Sequence, residues 1–272
     1  MTTQVPSARL KLAVIGAGLG AAPHFSSLQD LAGEADLVWV HARNAERLAA
    51  TPVPDGASKI TRIDDILHDP GVRAVLVLTP PNTHLDIVRQ LAQAGKHVLV
   101  EKPLEIDLPR ASALVQVCEA QGVSLAVMLQ HRLREAAVGL RGILAAGELG
   151  QLVSANASVR WWRPQSYYDE PGRGTLARDG GGVLITQAIH TLDLLLSLIG
   201  LPDRVTGVAS TSPMHSMEGE DCAAALLHYA RGAVAVVQKA VRPAMKISLS
   251  IFMWRPTITI CCSSQKKEDV IG

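Results

Sequence analysis

Aromatic residues are scarce in this chain: only 3% of its 272 residues are Phe, Trp or Tyr, so a core must be built mainly from Val, Leu, Ile and Ala. Cysteine is scarce as well. Cys118, Cys222, Cys261 and Cys262 show neither metal-ligand spacing nor a disulfide framework, and a reduced, cytoplasmic setting is the expectation. Net charge is nearly absent. Lys plus Arg number 26 against 25 for Asp plus Glu, which gives no case for nucleic acid or an acidic membrane as partner. Met1 to Ser7 are polar and lack an apolar h-region, so no signal peptide is expected. The longest apolar stretch, Gly182 to Leu201, contains Gln187, His190 and Asp193, which a lipid-facing helix would hardly tolerate. With 48% hydrophobic and 19% charged residues, disorder is excluded over most of the chain.

What is present first is alternation. Short Val- and Leu-rich runs (Leu10–Ile15, Leu37–Val40, Ala74–Leu78, His97–Val100, Ser124–Leu129) are separated by helix-compatible stretches (Ala21–Leu31, Ala45–Ala50, Ile63–His68, His84–Ala94, Leu108–Ala120). Near-continuous apolar strands alternating with helices predict a doubly wound parallel sheet covered on both faces. Asn82 and Thr83 are placed to cap the helix that starts near His84. Gly95 and Gly122 are placed to end helices in the left-handed conformation. After Gly150 the pattern changes. Gln151–Arg160 reads as a strand, Trp161–Gly180 as a long loop and Val183–Ile199 as a helix. Arg204–Thr211, Ala223–Tyr229 and Ala233–Lys239 read as strands, the last two joined through Ala230-Arg231-Gly232. This order predicts an α+β domain with an open, mainly antiparallel sheet. From Lys246 onward no clear element is expected.

Gly16-Ala17-Gly18-Leu19-Gly20-Ala21 follows the first strand and opens a helix, the setting a dinucleotide fingerprint requires. Gly16 allows a tight turn, Gly18 lets a pyrophosphate approach the backbone, and small Ala21 lets helix and strand pack closely. The helix start offers free N–H groups to phosphate. A glycine turn that binds nothing is the plainer alternative. At the end of the second strand, Val40-His41-Ala42-Arg43-Asn44 lacks the acidic residue that selects NAD, and Arg43 suits a 2′-phosphate, so NADP is favoured over NAD. A solvated surface arginine is the alternative there.

Two more strand ends face the same crevice. Thr79-Pro80-Pro81-Asn82-Thr83-His84 forms a rigid loop. Glu101-Lys102-Pro103 places a lysine beside a carboxylate, where its ammonium is suited to donate to a substrate oxygen. Further on, Gly180-Gly181-Gly182 precedes a helix on which Thr186, His190, Asp193 and Ser197 fall within roughly 60° at 100° per residue. His190 and Asp193 are expected to pair as a base and its orienter, and the three glycines to let a ligand approach the backbone. A satisfied core histidine is the alternative. Trp161-Trp162-Arg163-Pro164-Gln165-Ser166-Tyr167-Tyr168-Asp169 supplies rings, hydroxyls and an arginine suited to a polyol, or equally to filling a small core.

The glycine loop, Thr79–His84, Glu101-Lys102-Pro103 and Gly180–Asp193 occur in the order found in the glucose–fructose oxidoreductase / inositol dehydrogenase / MocA family, and the chain resembles that family from about Lys11 to Lys239. The resemblance implies a Rossmann domain followed by a domain with a large open sheet, acting on sugars, polyols or related cyclic compounds with NAD or NADP. It implies that Lys102 hydrogen-bonds the reacting oxygen and that His190 exchanges the hydroxyl proton. Many members carry Asp four residues before that histidine; here it is Thr186, which weakens a Lys–Asp–His triad. Pro103 resembles a proline that often follows a cis bond, and Gln130-His131-Arg132 matches the entry to the second domain.

The expectation is thus an α/β chain with an NAD(P)-binding Rossmann domain over 1–130, an α+β substrate and oligomerisation domain over 131–245, and an atypical tail over 246–272 that reads as truncated or frame-shifted. The cofactor set is Gly16, Gly18, Leu19, Gly20, Ala42, Arg43, Thr79, Pro80, Asn82, His84, Glu101 and Lys102. The catalytic set is Lys102, His190, Thr186 and Asp193, and the substrate set is Lys102, Arg163, Tyr167, Tyr168, Thr186 and His190. No metal is expected. The expected partners are a small sugar or polyol and, through the second sheet if complete, another copy of the chain. A non-catalytic NAD(P) or sugar sensor of the same fold is the rival reading, against which the presence of both Lys102 and His190 argues.

Overall fold

The computed structural model describes residues 9–18, 20–230, 232–240, 246–253 and 258–260. The chain divides between Met128 and Leu129 into two units. The first runs β1 (Leu10–Ile15), α1 (Ala21–Asp30), β2 (Ala35–His41), α2 (Ala45–Ala50), β3 (Ser58–Ile60), α3 (Asp64–Leu67), β4 (Ala74–Val77), α4 (His84–Gln93), β5 (His97–Val100), α5 (Leu108–Ala120) and β6 (Leu125–Val127). All neighbours pair in parallel, in the order β3-β2-β1-β4-β5-β6. Direction of travel across the sheet reverses at β1, so the carboxyl ends of β1 and β4 flank the point where such sheets open a ligand crevice.

Strand alternation sends Leu12 and Val14 of β1 to one face and Ala13 and Ile15 to the other. The first pair packs with Ala21 and Phe25 of α1 and Leu48 of α2. The second packs with Ile66, Val88, Leu91 and Leu114 from α3, α4 and α5. Both faces are therefore covered, which explains the unbroken apolar strands. Gly95 (φ +71°) and Gly122 (φ +64°) adopt the left-handed conformation expected of them. The start of α4 differs from expectation. Thr83 Oγ1 turns back to Thr79 Oγ1 (2.8 Å) and the Pro80 carbonyl (2.7 Å). The amide of Leu85 is instead received by the Glu105 carboxylate at 2.9 Å.

The second unit runs α6 (Glu135–Ala145), β7 (Leu152–Arg160), α7 (Gln165–Tyr168), α8 (Leu176–Asp179), a π-helical turn (Leu184–Ala188), α9 (Ile189–Ile199), β8 (Arg204–Ser210), β9 (Cys222–His228), β10 (Val234–Ala240), β11 (Lys246–Met253) and β12 (Ile258–Ile260). Its sheet has the order β12-β11-β7-β10-β9-β8. Only β7 and β10 pair in parallel; the other neighbours are antiparallel. Leu194 and Leu195 of α9 and Ala137 and Leu140 of α6 pack on Ala155, Ala157, Leu227, Ala235 and Val237 of the strands. The stretch expected to hold no element contains β11, which pairs with β7 along most of its length, and β12. Cys261 and Cys262 lie outside the described residues. α6 was also unexpected, since Gly139 and Gly142 inside it weaken the helical signal.

Leu176–Ile199 is long and apolar enough to cross a membrane by length and composition, and half of its most apolar window is buried within the protein. The glycines before α9 have a cause other than ligand access. Gly180 (φ +78°) ends α8. A Cβ on Gly182 would lie 1.9 Å from the Glu220 carbonyl oxygen and 2.4 Å from its nitrogen, and one on Gly219 would lie 2.6 Å from the Gly182 nitrogen. Two main chains touch here. The backbone of Glu220 accepts Val183 N at 2.8 Å, and its carboxylate accepts the amides of Gly182 (3.0 Å) and Leu184 (2.9 Å). The amides that open the helix are thereby taken. Gly182→Ala is expected to lower the melting temperature by roughly 10 °C. An unchanged calorimetric midpoint would show that the two chains separate without penalty.

Candidate active site

Three strand ends of the first unit carry the site. Gly16 has φ +109°, and a Cβ there would lie 2.8 Å from the Leu78 carbonyl carbon, so only glycine permits β1 to turn against the end of β4. At Gly18 the space a side chain would fill is open except for Arg47 Nη2 at 3.9 Å, and at Gly20 nothing lies within 4 Å. The small third position expected of Ala21 is met, for Ala21 is 1% exposed. Open space before a ten-residue helix start suits a pyrophosphate, and so the loop fits a dinucleotide. Leu19 lies outside the described residues.

Beside it, Ala42 is half-buried and Arg43 exposed. Arg47 was missed in the sequence. It stands one turn past Arg43 on α2, whose start Asn44 caps by accepting the Arg47 amide at 2.8 Å. The close approach of Arg47 to Gly18 adds a second cation to this end of the crevice.

At the end of β4, Thr79, Pro80 and Asn82 are half-buried. His84 is completely buried, with Nδ1 3.0 Å from the Leu104 carbonyl and Nε2 2.8 Å from the Thr79 carbonyl. The expectation that His84 touches cofactor is therefore corrected: its ring is spent tying two loops together. Glu105, 3% exposed, receives Nε and Nη2 of Arg110 at 2.9 Å each and the amides of Leu85 and Ile106. Arg110 reaches on to the Asn82 carbonyl at 3.2 Å. Burial pushes the Glu105 carboxyl up, but the Arg110 hydrogen bond and the two amides more than reverse this and hold it below the usual carboxylate range.

The turn after β5 carries Lys102, and Pro103 follows a cis peptide bond, as the resemblance implied. Glu101 Oε2 receives the Lys102 amide at 2.9 Å, and Oε1 lies 2.9 Å from His24 Nε2. Burial opposes the ionised Glu101, yet the His24 hydrogen bond and the Lys102 charge keep its carboxyl below the ordinary value. His24 was not foreseen. It sits on α1, 77 residues from its partner, and no spacing rule connects them.

In the second unit, the π-helical turn over Leu184–Ala188 breaks the constant 100° step assumed for Thr186, His190 and Asp193. Thr186 Oγ1 donates to the Gly182 carbonyl at 2.7 Å. His190 is 8% exposed, and its ring centroid lies 4.9 Å from that of His131. The Asp193 carboxylate receives Arg132 Nε at 2.5 Å and Nη2 as well. Arg132 is thus a partner of Asp193 that the sequence did not point to. Arg163 and Tyr167 do come together, with the guanidinium 5.1 Å from the Tyr167 centroid and 4.3 Å from that of Trp161. Tyr168 is buried beneath them, its hydroxyl accepting from Gln187 Nε2 at 2.8 Å. Among the described residues, no three His, Cys, Asp or Glu side chains are grouped to hold a metal.

Residues 10–129 match the family model described as "Oxidoreductase family, NAD-binding Rossmann fold", and residues 138–264 match "GFO/IDH/MocA C-terminal domain". The second match extends past Lys239, where the resemblance had been expected to stop. A scyllo-inositol 2-dehydrogenase (NADP(+)) of Bacillus subtilis is 26% identical over 72% of this chain and 54% of its own length. A 1,5-anhydro-D-fructose reductase of Ensifer adhaerens is 32% identical over 59% of this chain and 48% of its own. The WlbA dehydrogenase of Bordetella pertussis, solved with NADH and UDP-GlcNAcA, superposes with a TM-score of 0.87 at 27% identity, covering 93% of this chain and 74% of that one. The chain spans 60% of the length of two similar oxidoreductases of Schizosaccharomyces pombe.

Burial, followed by the charge of Arg134, pushes His131 down to about 4, while Asp193 pulls the other way. A folded value below the free value of 6.5 means that the unfolded chain takes up the proton first. The stability this imidazole contributes is therefore present above pH 6.5 and lost as the pH falls toward 4. An NMR titration should place the His131 midpoint near 4. A midpoint at the free value would contradict the burial.

Proposed function

Because the chain belongs to the Gfo/Idh/MocA oxidoreductase family, whose N-terminal and C-terminal models it matches, we propose that it is an NAD(P)-dependent oxidoreductase acting on a hydroxyl-bearing carbon of a sugar, polyol or related cyclic compound. Bound NAD(P) supplies the hydride acceptor or donor. The chain's own residues supply the rest. The loop Gly16 to Gly20 and the start of α1 hold phosphates, Thr79, Pro80 and Asn82 border the same crevice, and Glu101 fixes the Lys102 turn. The Lys102 ammonium stabilises charge on the reacting oxygen. His190 takes the hydroxyl proton as the alcohol is oxidised and returns it in reduction. Arg163 and Tyr167 are assigned to the further hydroxyls of the substrate.

The observation that carries this reading is the position of Lys102. It follows β5, next to β4 and one strand removed from the glycine loop of β1, at the carboxyl edge where doubly wound sheets bind ligands. The characterised relatives act on cyclic polyols or sugars by their names, which supports that substrate class. NADP is our choice of cofactor, because Arg43 follows β2 where an acidic residue would select NAD, and Arg47 adds a second cation beside the glycine loop. β8 is exposed along its whole length, with Val205 58% and Val208 75% exposed, and we assign it to contact with a second copy.

Lys102→Ala should lower kcat/KM by about 10² to 10⁴, the usual worth of such proton-handling groups, while NADPH still binds. Unchanged turnover would remove Lys102 from the chemistry. Fluorescence titration should show tighter binding of NADPH than NADH, with the difference reduced in Arg43→Ala and Arg47→Ala. Equal or tighter NADH binding by the wild type would refute the cofactor choice.

A further inference from the structure

The second unit buries several titratable side chains that the proposed chemistry does not use, Asp179 among them. Asp221 is 0%, Lys239 1% and His215 7% exposed. Burying charge in this way is expensive, and an apolar core of equal volume would serve stability as well or better. What these groups hold is therefore informative. Lys239 Nζ, on β10, donates to the Trp161 carbonyl at 3.0 Å. His215 Nε2 donates to the Arg163 carbonyl at 2.8 Å. Those carbonyls lie on either side of Trp162, whose ring centroid is 5.3 Å from that of His215.

Asp221 orients His215. Its carboxylate faces His215 Nδ1 at 2.8 Å and receives Ser212 through both the amide (2.7 Å) and the hydroxyl (2.5 Å). A carbonyl and a carboxylate both only accept, so each contact needs a proton on the ring nitrogen that faces it. The far end of the same loop is anchored too. The Tyr168 ring meets His215 edge-on at 4.9 Å, and its hydroxyl is held by Gln187, which neighbours Thr186. Between these anchors, Arg163 and Tyr167 are the half-buried side chains stacked on each other.

We propose that His215 and Asp221, together with Lys239, are positioning residues that fix the main chain of Trp161 to Arg163 so that Arg163 and Tyr167 meet the sugar. This rests on the oxidoreductase reading above. Burial pushes the Lys239 ammonium down to about 8 against the pull of Cys222 and Asp221, with Arg163 adding to the push. Asp221 lies low because Ser212 and His215 outweigh its own burial. Distances of 52 and 78 residues in sequence separate the clamp from the carbonyls it holds, so nothing local to the loop substitutes for it.

The test is steady-state kinetics with NADP⁺ and whichever of myo-inositol, D-glucose or 1,5-anhydro-D-glucitol the wild type oxidises best. Loss of uniform binding raises KM at constant kcat, so His215→Ala should raise the sugar KM roughly tenfold or more with kcat within about threefold and NADPH affinity unchanged. His215→Gln, which keeps a donor for the Arg163 carbonyl, should recover most of that loss. Lys239→Met, with its volume retained, should also raise KM, and it serves if His215→Ala does not fold. An unchanged sugar KM in these variants, or a loss confined to kcat, would overturn the assignment. If the wild type oxidises none of the three, the oxidoreductase reading fails by itself. The clamp is then judged by amide exchange, which should quicken about tenfold at Trp161–Tyr168 in Lys239→Met while β7 and β10 stay protected. Unaltered exchange there would dismiss the clamp as well.

Discussion

One buried carboxylate organises the carboxyl edge of the first unit's sheet. Glu105 gathers a guanidinium and two amides, from the start of α4, the approach to α5 and Arg110. Through Arg110 it reaches the Asn82 carbonyl, and beside it His84 joins Thr79 to Leu104. The loops that follow β4 and β5 are thus tied to each other before any ligand arrives. Leaving such a charge buried without its partner costs about 3–5 kcal/mol, so the arrangement is all or nothing. The main chain that carries Lys102 is thereby held in place, which is the condition the proposed chemistry sets for effective positioning.

The second unit uses the same device with different residues. Glu220 receives the amides at the head of the polar helix, Asp193 secures Arg132, and Asp221 secures His215. Glu220 and Asp193 join segments distant in sequence, whereas Asp221 fastens a single local turn. Each is paired with donors, as buried charge must be. Acidic residues in this protein therefore act largely as fasteners. The proposed chemistry falls to an amine and an imidazole.

Much of this was legible in the sequence, for definable reasons. The parallel sheet announced itself because strands buried on both faces must be apolar throughout. Gly16 was legible because the turn allows nothing larger, and the Lys102 turn because it ends a strand. The misses have one physical root. His24 and Glu220 act through partners dozens of residues away, Glu105 through the Leu85 amide of α4, and Arg47 through a close approach that no periodicity encodes. His84 and the glycines before α9 were correctly singled out but given the wrong cause, since a residue required by main-chain packing looks like one required by a ligand. β11 shows a third kind of failure. Ile247, Leu249 and Ile251 alternate with Ser248 and Ser250, a plain strand signature that unfamiliar surroundings obscured.

The order of strands in the second sheet governs how the protein can be made. β7 is flanked by β10 and β11, both encoded far downstream. Every strand of the first sheet, by contrast, finds its neighbours within the opening half of the chain. On the ribosome the first unit therefore has all its pairing partners early, while β7 must wait with both edges unsatisfied until β10 and β11 have been made. Pairings so remote in sequence form slowly, and a waiting strand with open edges is what holdase chaperones and aggregation compete for.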